Sequence, residues 1–370
     1  MVYNMIRTMK ENILIKFLIL AKRCGGIRFH KLLSLLPMFI KGTLLYPFSL
    51  IDHFLYHERI KNHQLSEDPI FILGYYRSGT TFLQRVLALN SDWANINQLH
   101  TAIPECSISF SRFFMTIFQF FSKLLKSKNE FHKTEWDWNL VGEEDVGLTC
   151  LASEATCYWS FMFPSKAEEY FDRFSYFKDE NQKDINFWKD EYTHIVKRFS
   201  FMFKGQQMLL KSPPNVAKIK ELIELYPKAK FIFIYRNPYQ VLKSVRRLWA
   251  INGKMNFQNN PSPEVIDQLT IKDFSSSIDR YYKYKSLVSP SNIFEIKYED
   301  FMSDPKSILE NLWSTFNLKN SNIISSMVEY IKKHDGEGVT QHKFDHKDFE
   351  LAEKDLHKYI DLWGYQRPKT

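Results

Sequence analysis

Pro69-Ile70-Phe71-Ile72-Leu73-Gly74-Tyr75-Tyr76-Arg77-Ser78-Gly79-Thr80-Thr81-Phe82-Leu83 is the stretch from which the fold of this chain is read. Ile70 to Leu73 is a short continuous apolar run, as expected of a strand buried on both faces of a parallel sheet. A helical pattern begins near Gly79, with Phe82, Leu83, Val86 and Leu87 on one face. A strand, a tight loop and a helix in that order aim backbone N–H groups and the positive end of a helix dipole at one spot. That spot is suited to phosphate or sulfate. The Gly74-x4-Gly79 spacing is that of a Walker A loop, but Thr80 stands where its lysine belongs and the cation is Arg77, inside the loop.

Two further strand-then-helix units follow. Met208-Leu209-Leu210 ends in Lys211-Ser212-Pro213-Pro214, ahead of a helix from Val216 to Leu225. Phe231 to Tyr235 ends in Arg236, and Asn237-Pro238 then opens a helix that carries Ser244. A fourth strand is expected over 292–297, before Tyr298-Glu299-Asp300. Strand and helix alternating in this way predict an α/β fold, a P-loop-like doubly wound parallel sheet flanked by helices. An arginine closing one strand and a serine on the next helix then converge over the crevice where open sheets bind nucleotides. The polar stretch 252–263 is long enough for a lid.

Residues 1–66 read as a helical, partly amphipathic extension, and residues 67–370 as the main domain. Apolar blocks at Ile13–Leu20, Leu32–Ile40 and Leu44–Ile51 are interrupted by charges and prolines. None reaches the roughly 18–20 apolar residues that span a bilayer. Two readings stand for them, helices packed on the domain or a basic, aromatic-rich surface lying on a membrane. Phe110 to Leu125 shows a broad phenylalanine face at helical spacing, either core or the wall of a site for a greasy ligand.

The net charge of +8 and 16% aromatic content suit a folded domain with a polyanionic partner. No finger, basic zipper or long Lys/Arg block points to nucleic acid. Four scattered cysteines without a CxxC pair, and no Asn-x-Ser/Thr sequon with a non-proline centre, lean towards the cytoplasm.

The loop Tyr75 to Phe82 resembles the 5′-phosphosulfate-binding loop of sulfotransferases that use 3′-phosphoadenosine 5′-phosphosulfate (PAPS). Leu210-Lys211-Ser212-Pro213, Phe231 to Ser244 and Lys297-Tyr298-Glu299-Asp300 resemble further segments of that family. Glu143-Glu144-Asp145, His342-Lys-Phe344 and Trp363-Gly364-Tyr365 are similar to its broad, mainly bacterial branch. The resemblance implies PAPS as co-substrate and no metal. It places Arg77, Ser78, Gly79, Thr80 and Thr81 at the 5′ end, Arg236 and Ser244 at the 3′-phosphate, and Tyr298 at the adenine with Phe82 stacked near it. The family's Arg-Lys-Gly segment is absent, so Arg246, Arg247 or the 252–263 loop must help Arg236.

Arg77 and Lys211 are then the groups that meet charge on the leaving oxygen. The base that activates the acceptor is open among Glu143, Glu144, Asp145, His100 and Glu105, with the acidic turn preferred and His100 second. The acceptor is a small-molecule or lipid-like hydroxyl or amine; peripheral membrane contact through residues 1–66 stays open beside packing on the domain, as does the oligomeric state. Two rivals remain, a P-loop nucleotide kinase and a non-catalytic, membrane-associated nucleotide binder. Thr80 in the Walker lysine's place and Arg236 in place of a Walker B aspartate weigh against the kinase.

Overall fold

A computed structural model describes residues 12–125, 137–334 and 344–368, together with the backbone of 128–129 and 134–135. The loop around His342 lies outside the described residues. The chain opens with helices α1 (Ile13–Arg23), α2 (Leu36–Thr43) and α3 (Tyr46–Lys61), and then enters strand β1 (Ile70–Leu73) and helix α4 (Thr80–Leu87). After these come α5 (Ser107–Leu124), α6 (Glu144–Cys150), α7 (Gln182–Met202) and β2 (Leu209–Lys211). Strand β3 (Lys230–Tyr235) leads into α8 (Pro238–Asn252) and α9 (Pro263–Tyr284). Strand β4 (Ile293–Lys297) leads into α10 (Pro305–Thr315), α11 (Ile323–Lys333) and the closing α12 (His346–Leu362).

Strands β1 to β4 form one parallel sheet in the order β2-β1-β3-β4, and 128–129 pairs with 134–135 as a separate antiparallel ribbon. The alternation of strand side chains explains why both faces must be covered. Phe71, Leu73, Phe231 and Phe233 point into one core, shared with Trp188 and Ile195 of α7 and Phe274 of α9. Ile70, Ile72, Ile232 and Ile234 point into the other, with Leu83 and Val86 of α4, Leu309 of α10 and Met327 of α11. The sheet is therefore doubly wound, as its strand–helix alternation predicts. Because β1 lies between β2 and β3, the loops after these three strands emerge side by side at one edge.

The amphipathic face of α1 is buried. Phe17 is fully covered and its ring meets those of Trp159, Phe163 and Phe257. Burial of one such ring stabilises the attachment by about 1.5–3 kcal/mol. Residues Gln98–Ala102 form a short helix whose capping box pairs Asn97 with His100. One local expectation changes. The 252–263 stretch is a packed strap rather than a lid: Asn256, Phe257 and Gln258 are buried. The Gln258 amide donates to the Cys24 carbonyl (2.8 Å) and accepts from the Ser165 N–H (3.0 Å).

Candidate active site

The loop between β1 and α4 is built for close approach. Gly79 caps α4 at φ 101°, a left-handed conformation in which a side chain is strained. A Cβ placed there would lie 2.5 Å from Cδ2 of Tyr298, so the loop and the residue after β4 meet only because Gly79 has none. Ser78 turns inward, and both its N–H and its hydroxyl are spent on the Tyr75 carbonyl (3.2 and 2.7 Å). It stiffens the turn, and the amides that open towards a ligand begin at Gly79, the usual orphan donors of a helix start.

Arg77, itself at φ 67°, swings from this loop to α8, where its Nε donates to Ser244 Oγ at 2.8 Å. Burial, together with the guanidinium groups of Arg247 and Arg236, pushes Arg77 down to about 10. The groups acting on its charge are thus both cationic. Arg236 leans over the Tyr298 ring, 4.2 Å from its centroid, and its buried Nε has no hydrogen-bond partner among the described residues. Arg77 among cations, beside an Arg236 whose buried donor is unpaired among the described residues, makes a site suited to a polyanion. Arg246 does not join them, since it is held by Asp267 and Asp348 on the far side of α8. Asn237 caps α8 as expected, accepting from the Tyr239 N–H at 3.1 Å.

Lys211, at the end of β2, lies across the loop from these arginines. Its Nζ donates to Thr81 Oγ1 (3.1 Å) and pairs with Glu143, which also accepts from the Tyr158 hydroxyl. Glu143 is the N-cap residue of α6 and stays about one-fifth exposed, whereas Lys211 is almost wholly buried. Glu143, Tyr158, Arg77, Thr80 and Thr81 line one cavity of about 360 Å³. Its remaining wall is largely apolar, with Val141, Val146, Phe161, Met162, Leu248 and Met255.

The acidic turn therefore divides. Glu144 is fully buried, accepting from Tyr192 and Asn215 at 2.7 Å each and from the Lys211 N–H at 3.2 Å. Burial, helped by Asp145, pushes it up to about 7. Asp145 is buried as well, with its own N–H donating to Ser212 Oγ at 3.2 Å, and burial raises its carboxyl too. Neither lines the cavity. His100 does not line it either: its Nδ1 accepts from the Asn97 N–H (3.3 Å), its ring meets Phe203, and burial pushes it down to about 4. Glu105 lies under α3 beside Lys41, 3.3 Å away. Tyr158 carries no signal in the sequence, whereas Arg247 is one of the groups named there as help for Arg236.

The profile of the Sulfotransferase family matches residues 69–321, more than half of the chain. The chain belongs to this family. It is a sulfotransferase, an enzyme that transfers a sulfuryl group, and the family implies PAPS as its donor. The omega-hydroxy-beta-dihydromenaquinone-9 sulfotransferase Stf3 of Mycobacterium bovis is 24% identical over 322 residues, spanning 85% of this chain and 79% of its own. The same enzyme from Mycobacterium tuberculosis matches equally. Among solved structures, sulfotransferase STF9 from Mycobacterium avium superposes with a TM-score of 0.69 at 14% identity, over 89% of this chain and 85% of its own. Sulfotransferase STF1 from Mycobacterium tuberculosis gives 0.61 at 15%, over 87% and 86%. At such identities the structures speak for the shared fold alone.

Proposed function

We propose that this sulfotransferase moves the sulfuryl group of PAPS to a hydroxyl of a lipid-like small molecule, with Glu143 as the base. The observation that carries the reading is the cavity lined by both Glu143 and Arg77, whose remaining wall is largely apolar. A long apolar acceptor suits such a wall, and the Stf3 relatives are named for a menaquinone derivative.

The residues present fit the donor. Arg236, Arg247 and Ser244 would hold the 3′-phosphate, supported by the orphaned Arg236 Nε and the cationic surroundings of Arg77. The Gly79–Thr81 amides would hold the 5′-phosphate, with Phe82 and Tyr298 near the base. PAPS supplies the activated sulfuryl group, whose bond to phosphate oxygen breaks as one to the acceptor oxygen forms. Glu143 takes the acceptor's hydroxyl proton, oriented by the Tyr158 hydroxyl and Lys211. Lys211 and Arg77 meet the negative charge that grows on the phosphate oxygen left behind, which in a site closed to water stabilises it strongly. The scheme assigns no role to a metal.

We read residues 67–370 as the sulfotransferase domain and 1–66 as an extension fastened to it, and place the protein in the cytoplasm at the membrane that holds its acceptor. The four free thiols suit a reducing compartment. The test is incubation of the enzyme with 35S-labelled PAPS and a lipid extract. Label moving into the organic phase supports the reading. Label found only in water-soluble products, or metal-dependent ATP turnover instead, overturns it.

A further inference from the structure

Most of the large apolar side chains that this protein leaves in solvent lie on α1, α2, α3, the turn between α1 and α2, and α5. Phe29, Leu33 and Phe54 are each 88% exposed, and Phe120, Leu124 and Leu125 extend the set along α5. These helices adjoin one another, α1 on α2, α2 on α3 and α3 on α5. The last contact is made by Phe48 against Phe110 and Phe114, at 4.9 and 5.2 Å between ring centroids. An exposed apolar surface of this extent marks an interaction site.

Its charge says what it meets. Residues 12–51 hold Lys16, Lys22, Arg23, Arg28, Lys31 and Lys41 without one Asp or Glu, residues 107–125 add Arg112 and Lys123, again without an acid, and the rest of α3 is balanced, with Arg59 and Lys61 against Asp52 and Glu58. The chain has 50 Lys and Arg against 42 Asp and Glu, so the eight cations of the two acid-free stretches equal its whole excess and the rest is balanced. Lys41 is buried, donating to the Ala102 and Cys150 carbonyls at 2.7 Å, and Arg23 meets Glu154. Lys16, Lys22, Arg28, Arg112 and Lys123 are exposed. A second copy of the face would bring like charges together, which disfavours self-association.

The face also adjoins the acceptor cavity. The Arg28 N–H donates to the Phe257 carbonyl and Lys31 Nζ to the Gly253 carbonyl, both at 2.9 Å. Between those two anchor points stands Met255, which lines the cavity and is 55% exposed. Among the described residues no single helix is long and apolar enough to cross a membrane, although the bent pair Phe29–Thr43 and Tyr46–Lys61 passes by length and composition. The middle of that pair is stitched into the protein. Lys41 is spent on carbonyls, and Asp52 accepts from the Ile108 and Ser109 N–H groups at 3.0 and 3.2 Å. The pair lies on the domain.

We propose that this face docks on an anionic phospholipid bilayer, with the apolar side chains at the acyl boundary, the cations among the phosphates, and the mouth of the acceptor cavity turned towards the leaflet. The proposal rests on the lipid-like acceptor of the preceding subsection. Its test is co-sedimentation of the full chain with vesicles of phosphatidylcholine, alone or with about 30% phosphatidylglycerol, beside calorimetry with adenosine 3′,5′-bisphosphate. The expected result is binding to the anionic vesicles that weakens with salt. Phe29→Ser with Leu33→Ser should lower it roughly tenfold or more, and Lys22→Ser with Arg28→Ser should lower it on anionic vesicles, with bisphosphate affinity unchanged in both. No vesicle binding, or binding indifferent to both pairs, overturns the proposal. So does a dimer by light scattering that the first pair dissolves while vesicles bind nothing. Vesicle binding with no bisphosphate binding would uphold the docking face and sink the sulfuryl-transfer reading, so the two failures are distinguishable.

Discussion

Replacing Arg236 by alanine probes the nucleotide site where its signal is cleanest. Arg236 follows β3, stacks 4.2 Å over Tyr298 and presents a buried Nε that no described group satisfies. A charge-assisted hydrogen bond is worth about 1.5–3 kcal/mol, so its loss should weaken adenosine 3′,5′-bisphosphate by about ten- to a hundredfold. The fold should tolerate the change, because no salt bridge to Arg236 is lost among the described residues. Arg236→Lys keeps the charge but not the planar fork, and should fall between the two. Isothermal calorimetry reads the affinity, and a thermal melt confirms that the variant is folded. An affinity within twofold of wild type, in a folded variant, would refute the assignment of Arg236 to the phosphate.

Other outcomes follow from the same geometry. Glu143→Gln should cut kcat by about a hundred- to ten-thousandfold while bisphosphate affinity moves far less, as removal of a general base does; a near-normal turnover in a PAPS assay would move the base elsewhere. His100→Gln should leave turnover within about threefold, since His100 caps a short helix away from the cavity, and a large loss of kcat would speak against that placement. Gly79→Ala should abolish measurable bisphosphate binding and lower the melting temperature, because its Cβ would meet Tyr298 at 2.5 Å in a left-handed backbone. Burial raises Glu144 from its ordinary 4.5 to about 7, so the native state binds the extra proton and this group's contribution to stability falls as pH rises from about 4.5 to 7. The ceiling of that loss is on the order of 3 kcal/mol. In urea titrations Glu144→Gln should flatten that part of the pH profile, and an unchanged slope would contradict a protonated Glu144.

The parts legible in the sequence are those whose signal is local. Ile70–Leu73 followed by a glycine-spaced loop can hardly be anything but a buried strand feeding a helix, and Arg236 with Ser244 sit at a fixed strand-end and helix offset. The choice among Glu143, Glu144 and Asp145 was not legible. Neighbours on a helix differ by about 100°, and which one turns to the cleft depends on how α6 packs against α7, a tertiary matter. Tyr192 and Asn215, far apart along the chain, draw Glu144 inward and leave Glu143 outside. The 252–263 strap misled for the same reason. Its polar composition suggests a mobile loop, but Phe257 enters the core beside Phe17 and Phe163, and Gln258 satisfies the Cys24 carbonyl. The N-terminal helices showed both of their faces in the sequence, and only the fold separates the buried stripe of Phe17 and Leu20 from the exposed one of Leu18 and Ile19.

A crystal structure of the enzyme with adenosine 3′,5′-bisphosphate would test the central claim most directly. The account requires the 3′-phosphate within hydrogen-bond reach of Arg236, Arg247 and Ser244, and the 5′-phosphate on the Gly79–Thr81 amides between Arg77 and Lys211. A nucleotide bound in the opposite sense, or away from the edge shared by β1, β2 and β3, would contradict it.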